Sequence, residues 1–456
     1  MATSASSTRF PTADDRRILH LAVPALAALV AEPLFLLGDA VVVGRLGTTP
    51  LAGLGIAATV LQTAVGLCVF LAYGTTAAVS RAWGAGDLTR ALRQGVDGIW
   101  LATALGVLVT ALGVPATGWL VSLFDPGAAV SEQATTYLQV AFLGTTPLLL
   151  ILATTGVLRG LQDTRTPLLV AVAGNLANLV LNVVLVHGLD LGIVGSAIGS
   201  VVAQTLSAAA LVWVVVRGTR RDDVGTVGWR PRLPGVVASA RAGVPLLVRT
   251  LTLRAALVLT TYAVTIGAAD EAGLEVDLAA HQLAMTLWGF LALALDAVAI
   301  AAQALTGAAL GAGDLDRTRA LTRRMVLWGL GTGLLSGLLL AATSPVLGPL
   351  FTPDERVHEQ LLPVLLVAAL AQPLAGLVFV LDGVLIGAGD GRYLAVGGLV
   401  ALVVYAPVAL LAAQQSGLVA LWVAFAGLFM AARAAVLVHR ARGDAWTVTG
   451  AGSSRP

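Results

Sequence analysis

Apolar runs of about 20 residues or more, broken only by short clusters of Gly, Pro and charge, recur along nearly the whole chain and restrict its fold more than any other feature. A helix of about 20 apolar residues crosses the hydrocarbon of a bilayer. Inside that layer every backbone N–H and C=O must be satisfied within the protein. The runs divide into about twelve such helices, so the expected fold is all-α and almost entirely within the membrane. Of the 456 residues, 57% are hydrophobic and 11% charged, against about a quarter charged in a soluble domain. A soluble globular protein is excluded.

The 27 basic and 25 acidic side chains nearly cancel, so no global positive field points to nucleic acid. All the basic residues are Arg. The single cysteine, Cys68, lies in an apolar run, which rules out an intramolecular disulfide and a cysteine metal cluster. The first apolar run, from Ile18, carries Pro24, Glu32, Pro33 and Asp39 and reads as an uncleaved first helix rather than a signal peptide.

Breaks at Gly, Pro and charge clusters place helices at 18–44, 51–78, 95–123, 134–158, 166–187 and 191–217, then at 241–268, 278–308, 321–350, 357–386, 392–412 and 416–440. Arginine is concentrated in alternate connections, including Arg81, Arg90 and Arg93, Arg159 and Arg165, Arg217 to Arg232, and Arg317 to Arg324. The opposite connections are acidic, with Asp125, Glu132, Asp190, Asp270, Glu271 and Asp354. Cytoplasmic loops carry the excess of arginine, so both termini are expected inside, with polar tails at 1–17 and 441–456.

The chain also repeats. GAGDL at 84–88 recurs at 311–315, and the same displacement superposes LFDPGAAVSEQ (123–133) on LFTPDERVHEQ (350–360) and GVLRGLQDTR (156–165) on GVLIGAGDGR (383–392). Residues 51–165 therefore repeat as 278–392. The expected domains are six-helix bundles at 18–217 and 241–440, joined by a cytoplasmic linker at 218–240. Six is even, so the two pseudo-symmetric bundles run parallel (6+6), with the substrate path expected between them. GAGDL itself reads as a turn in which Asp87 or Asp314 caps the next helix, or as a set of gating contacts.

Ionisable residues at membrane depth are costly and mark cavities, pairs or functional sites. Here they are Glu32, Asp39, Arg249, Arg254, Asp296 and Asp382. Glu32 and Asp39 are seven residues apart on one helix and so share a face; Pro24 and Pro33 favour a kink there. Asn175, Asn178 and Asn182 make a polar stripe on the fifth helix. Either these amides glue helices together, or they bond Asp39 or ligate a hard cation. Arg254 calls for a counter-charge from Asp296 or Asp382, as a structural pair or in substrate or proton coupling. Arg249 lies shallower and is expected to snorkel. His281, Tyr137 and the tryptophans read as interfacial residues.

The segments VPALAALVAEPLFLLGDAVVVGRLG (23–47), RGLQDTRTPLLVAVAGNLANLVLNVVLVHGL (159–189), LALALDAVAIAAQALTGAALGAGD (291–314) and LDGVLIGAGD (381–390) resemble those of multidrug and toxic compound extrusion (MATE) transporters. The likeness is to the DNA-damage-inducible, DinF-like bacterial branch and covers residues 15–440. It implies two bundles around a cleft, alternating access, and export of amphipathic or cationic small molecules in exchange for H⁺ or Na⁺ across the bacterial plasma membrane. It also implies that Asp39 belongs to a cation site with Asn178. Asn182 stands where the family usually has Asp, which favours proton coupling through Asp39.

A lipid or lipid-linked oligosaccharide flippase is the alternative. It would be expected to line its cavity with several cations, and only Arg249 and Arg254 are read as intramembrane arginines. No HExxH, GxSxG or GxxxxGK[ST] motif points to an enzyme or an ATP-driven pump. No cofactor, catalytic residue, metal site or obligate protein partner is expected; the partners are small-molecule substrates and membrane lipid.

Overall fold

The computed structural model describes residues 12–219, 227–267 and 270–450. The chain is nearly all helix. Among the described residues eleven helices are long and apolar enough to cross a membrane: α1 (Ala13–Gly44), α2 (Thr48–Gly84), α3 (Leu88–Ser122), α4 (Ala128–Gly160), α5 (Arg165–Gly188), α6 (Gly192–Thr219), α7 (Leu233–Gly267), α8 (Glu271–Gly311), α9 (Leu315–Phe351), α10 (Glu355–Gly387) and α11 (Gly391–Arg442). The last has 52 residues, about 78 Å at 1.5 Å per residue, long enough for two crossings. It breaks at Gly417, whose φ of 74° and ψ of −168° are not helical. Twelve crossings follow, with the final break at the expected place. Leu112, Trp119, Leu169, Val180, Leu335 and Leu370 are exposed, as a lipid-facing exterior requires.

The helices overrun the expected boundaries, mostly at their N-termini. Asp87 and Asp314 cap α3 and α9, accepting hydrogen bonds from the backbone N–H of Arg90 (2.8 Å) and Arg317 (2.9 Å). The charge clusters used as boundaries are thus first turns. α1 likewise begins at Ala13, inside the expected tail; residues 1–11 lie outside the described part. α1 runs as one helix through Pro24 and Pro33. α7 takes in much of the expected linker. Its Gly235 and Gly243 read as breaks but are close-packing points: a Cβ at the first would overlap the Asp97 carboxylate and at the second the Phe70 ring.

By internal contacts the chain resolves into two units. One is Ala27–Leu247; the other joins Val248–Thr449 with the chain up to Leu26. Both divisions fall two residues after a Val-Pro pair, Val23-Pro24 in α1 and Val244-Pro245 in α7. The start of α1 is held in the second unit, where buried Asp15 accepts from Arg324 Nε (2.6 Å) and Nη2 (2.5 Å) and from Trp328 Nε1 (2.8 Å). The start of α7 is held in the first unit, where Arg232 Nη2 donates to buried Asp97 (2.6 Å).

The repeat extends to backbone geometry. Gly86 and Gly313, equivalent in the two copies, both take a left-handed conformation, with φ of 76° and 77°. So do Gln162 (φ 64°) and its equivalent Gly389 (φ 75°). Each follows a helix C-terminus, where this conformation terminates the helix.

Candidate functional site

Val43, one turn after Asp39, packs with Leu54 and Ala57 of α2, Tyr137 and Leu138 of α4, and Ile193 and Ala197 of α6 in a buried apolar cluster. That packing fixes α1 against α4 and α6. It brings the polar neighbours of these core positions, Asp39, Tyr137 and Ser196, to one place.

Asp39 is 4% exposed. Its Oδ1 accepts from Asn182 Nδ2 and, at 3.2 Å, from Ser196 Oγ. Asn182 Nδ2 also donates to Asn178 Oδ1 (3.0 Å), and Asn178 Nδ2 donates to Ser200 Oγ (3.0 Å). Tyr137, itself 5% exposed, sets its hydroxyl beside Asp39, Ser196 and Ser200. Gly199 of α6 lets Asn182 sit this close, because a Cβ there would overlap the Asn182 amide oxygen. The result is a buried carboxylate of α1 ringed by amide and hydroxyl groups on α4, α5 and α6.

Three of the five expected members of this site therefore meet: Asp39, Asn178 and Asn182. Asn175 turns instead to the Ala31 carbonyl (2.9 Å) and ties α5 to α1. Glu32 shares Asp39's helix face but not its site. It is exposed, because the packing that buries Asp39 acts at Val43, one turn beyond it and away from Glu32.

Sequence reasoning missed Ser196 and Ser200 and read Tyr137 as an interfacial anchor. The repeated Gly-Ser pairs at 195–196 and 199–200 carry the signal: one face of α6 alternates close approach with a hydroxyl. Tyr137 has no such local mark, since only the tertiary core shows that it is interior.

In the second unit Asp382 of α10 is the centre of a buried charge cluster. Its Oδ2 accepts from both Arg249 Nη2 and Arg433 Nη2. Arg249 thus pairs in the interior rather than snorkelling. Arg433, 8% exposed, is a third arginine at membrane depth; only a short apolar stretch separates it from the closing basic turn, so the sequence alone places it with the helix end. Arg254 is exposed on α7 and Asp296 half-buried on α8; of the two acids expected to answer Arg254, Asp296 or Asp382, the second is bonded to Arg249 and Arg433 instead. The reason is register: five residues put Arg249 and Arg254 on different faces of α7. His281 is also interior, 2% exposed, beside Trp422.

The MatE family model matches residues 24–184 and 254–411, once in each copy of the repeat. DNA damage-inducible protein F of Escherichia coli is 31% identical over 390 residues, spanning 83% of this chain and 82% of the relative. Protein DETOXIFICATION 44, chloroplastic, of Arabidopsis thaliana is 30% identical over 431 residues, 91% of this chain and 80% of the relative. A solved structure of a multidrug resistance MATE-family transporter of the MOP superfamily, in an outward-facing conformation, superposes with a TM-score of 0.83 at 22% identity, over 94% of this chain and 95% of that one. The resemblance read from the sequence therefore holds: the chain belongs to the MatE family of multi-pass membrane transporters.

Proposed function

We propose that the protein is a secondary active multidrug exporter that moves amphipathic or cationic small molecules out of a bacterial cell in exchange for protons, with Asp39 as the proton carrier. One observation carries this reading. Among the described residues four acidic side chains are buried, Asp15, Asp39, Asp97 and Asp382. Three of them are bonded to guanidinium groups, of Arg324, Arg232, and Arg249 with Arg433. The partners of Asp39 are a neutral amide and a neutral hydroxyl.

An arginine beside a buried carboxylate holds it in the charged form. Asp39 has no such partner, so it can take up and release a proton as the conformation around it changes, which is what coupling requires. Asn182 presents a donor to Asp39, which suits an anion that becomes protonated better than an oxygen cage for Na⁺. The multidrug resistance named for the structural relative and the arginine-rich alternate loops support export from the cytoplasm across the inner membrane, with both termini on the cytoplasmic side. The flippase reading gains nothing from Arg433, which is engaged, like Arg249, with Asp382.

The test is efflux of a fluorescent lipophilic cation from proteoliposomes under an imposed pH gradient or an imposed Na⁺ gradient, with wild type and Asp39→Asn compared. Transport driven by the pH gradient and lost in the variant is expected. Dye movement under the Na⁺ gradient alone contradicts proton coupling. Protein that leaves the dye in place under either gradient and instead scrambles labelled lipid contradicts the exporter reading.

A further inference from the structure

The second unit buries a titratable side chain that the coupling scheme leaves unused. His281 of α8 sets Nε2 3.1 Å from Thr261 Oγ1 of α7. The Thr261 hydroxyl hydrogen points back along its own helix to the Leu257 carbonyl (3.3 Å), so the oxygen accepts from His281 Nε2–H. In that arrangement the neutral ring carries its lone pair on Nδ1, a buried atom with no hydrogen-bond partner among the described residues. The ring lies edge-on to Trp422, with centroids 5.9 Å apart. Trp422 is fully buried, and its Nε1–H also lacks a partner.

A small cavity lies one helical turn from this pair. Asp277 lies one turn before His281, on the same face of α8. With Gly267, Ala413, Gly417 and Leu421 it lines a cavity of about 10 Å³, room for about one water molecule. The cavity sits where α11 is irregular: Gly417 breaks the helix, and a π-helical stretch, Val423–Phe429, starts directly after Trp422. Such stretches gather at functional positions.

The charged groups of this region cluster at the helix ends. On α8 itself Asp270, Glu271 and Glu275 precede Asp277. Arg356, at the start of α10 between Glu355 and Glu359, is within electrostatic reach of Glu275, and His358 there bonds the Thr352 carbonyl (2.7 Å). α9 has no charged side chain after Arg324, and α10 has none between Glu359 and Asp382. α11 carries Tyr405, which shares a hydrogen with Thr260 of α7 (2.6 Å); its other titratable groups, Arg392, Tyr393, Arg433, His439, Arg440 and Arg442, lie toward its two ends.

We propose that His281 is a proton-binding site of the second unit, taking its proton on Nδ1, with the cavity beside Asp277, one turn away, as the water path. The proton adds to the free lone pair, and no other bond changes. The imidazolium then stands against the Trp422 ring within cation–π range. Protonation adds a second buried N–H donor beside an indole that also has only a donor to offer, so it biases the packing of α8 against the break in α11. This inference is independent of Asp39 and of the coupling ion.

The experiment is tryptophan fluorescence of the purified full-length protein, titrated from neutral pH downward through and below the range in which an exposed histidine changes charge. An imidazolium in contact with an indole quenches it. Wild type is expected to show a reversible quench on acidification that persists in Asp39→Asn. His281→Gln, which keeps a donor for Thr261, is expected to lose it, and Trp422→Phe to lose most of its amplitude. Asp277→Asn, which removes a neighbouring negative charge, is expected to move the midpoint to lower pH. A titration in His281→Gln that matches wild type overturns the proposal. If that variant does not fold, an unchanged midpoint in Asp277→Asn together with unchanged amplitude in Trp422→Phe overturns it equally.

Discussion

Asn182 of α5 donates one side-chain amide group to two acceptors at once, Asp39 Oδ1 on α1 and Asn178 Oδ1 one turn back on its own helix. Asp39 is thereby linked to the polar stripe of α5 and through Asn178 to Ser200 of α6. A change of charge on Asp39 reverses what Asn182 prefers to present, amide N–H to a carboxylate or amide oxygen to a carboxylic acid. In the proposed scheme the charge on Asp39 is therefore coupled to the packing of three helices.

Gly199→Ala tests that link without touching an ionisable group. The new Cβ meets the Asn182 amide oxygen, and overpacking of this kind costs about 1–3 kcal/mol. Dye efflux is expected to fall by about tenfold or more, since about 1.4 kcal/mol is a factor of ten in rate. The same substitution at Gly127, where a methyl group would meet nothing within 4 Å, is expected to leave efflux near wild type.

The Asp382 cluster predicts an ordering of stabilities. Asp382→Ala leaves two guanidinium groups together in the interior, and breaking a buried pair in this way costs about 3–5 kcal/mol. Arg433→Ala leaves Asp382 still bonded to Arg249, so its cost is expected to be smaller. Thermal unfolding in detergent measures both; equal or inverted losses contradict a structural role for the pairing.

Gln162 and Gly389 are equivalent positions with the same left-handed backbone and different side chains. A Cβ in that conformation costs roughly 1–2 kcal/mol. Gly389→Ala is expected to lower the melting temperature, and Gln162→Gly to raise it or leave it unchanged, because glycine's freedom in the unfolded chain offsets part of the relief. Opposite shifts would separate the two copies of the repeat in their energetics.

Most of the fold was legible because bilayer thickness and backbone hydrogen bonding dictate it through the apolar runs, and the duplication through rare residues at one displacement. The helix starts were not. Charge clusters such as Arg90 and Arg93 look like loops but lie in the first two turns of a helix capped by Asp87, and Gly235 and Gly243 look like breaks but mark close approach. Within the site, Asp39, Asn178 and Asn182 were readable from polarity in an apolar context. Tyr137, Arg433 and His281 were not, because a residue near the end of an apolar run can face either lipid or the interior, and tertiary packing alone decides which. Glu32 failed for the complementary reason: sharing a helix face with Asp39 does not carry it into the same cluster.

The central claim is that Asp39 holds the proton exchanged for substrate. The most direct measurement is proton release when a lipophilic fluorescent cation binds detergent-solubilised protein in weakly buffered solution containing a pH indicator. The account predicts release by wild type and none by Asp39→Asn, with dye binding measured in parallel. Equal release by the two proteins would contradict it.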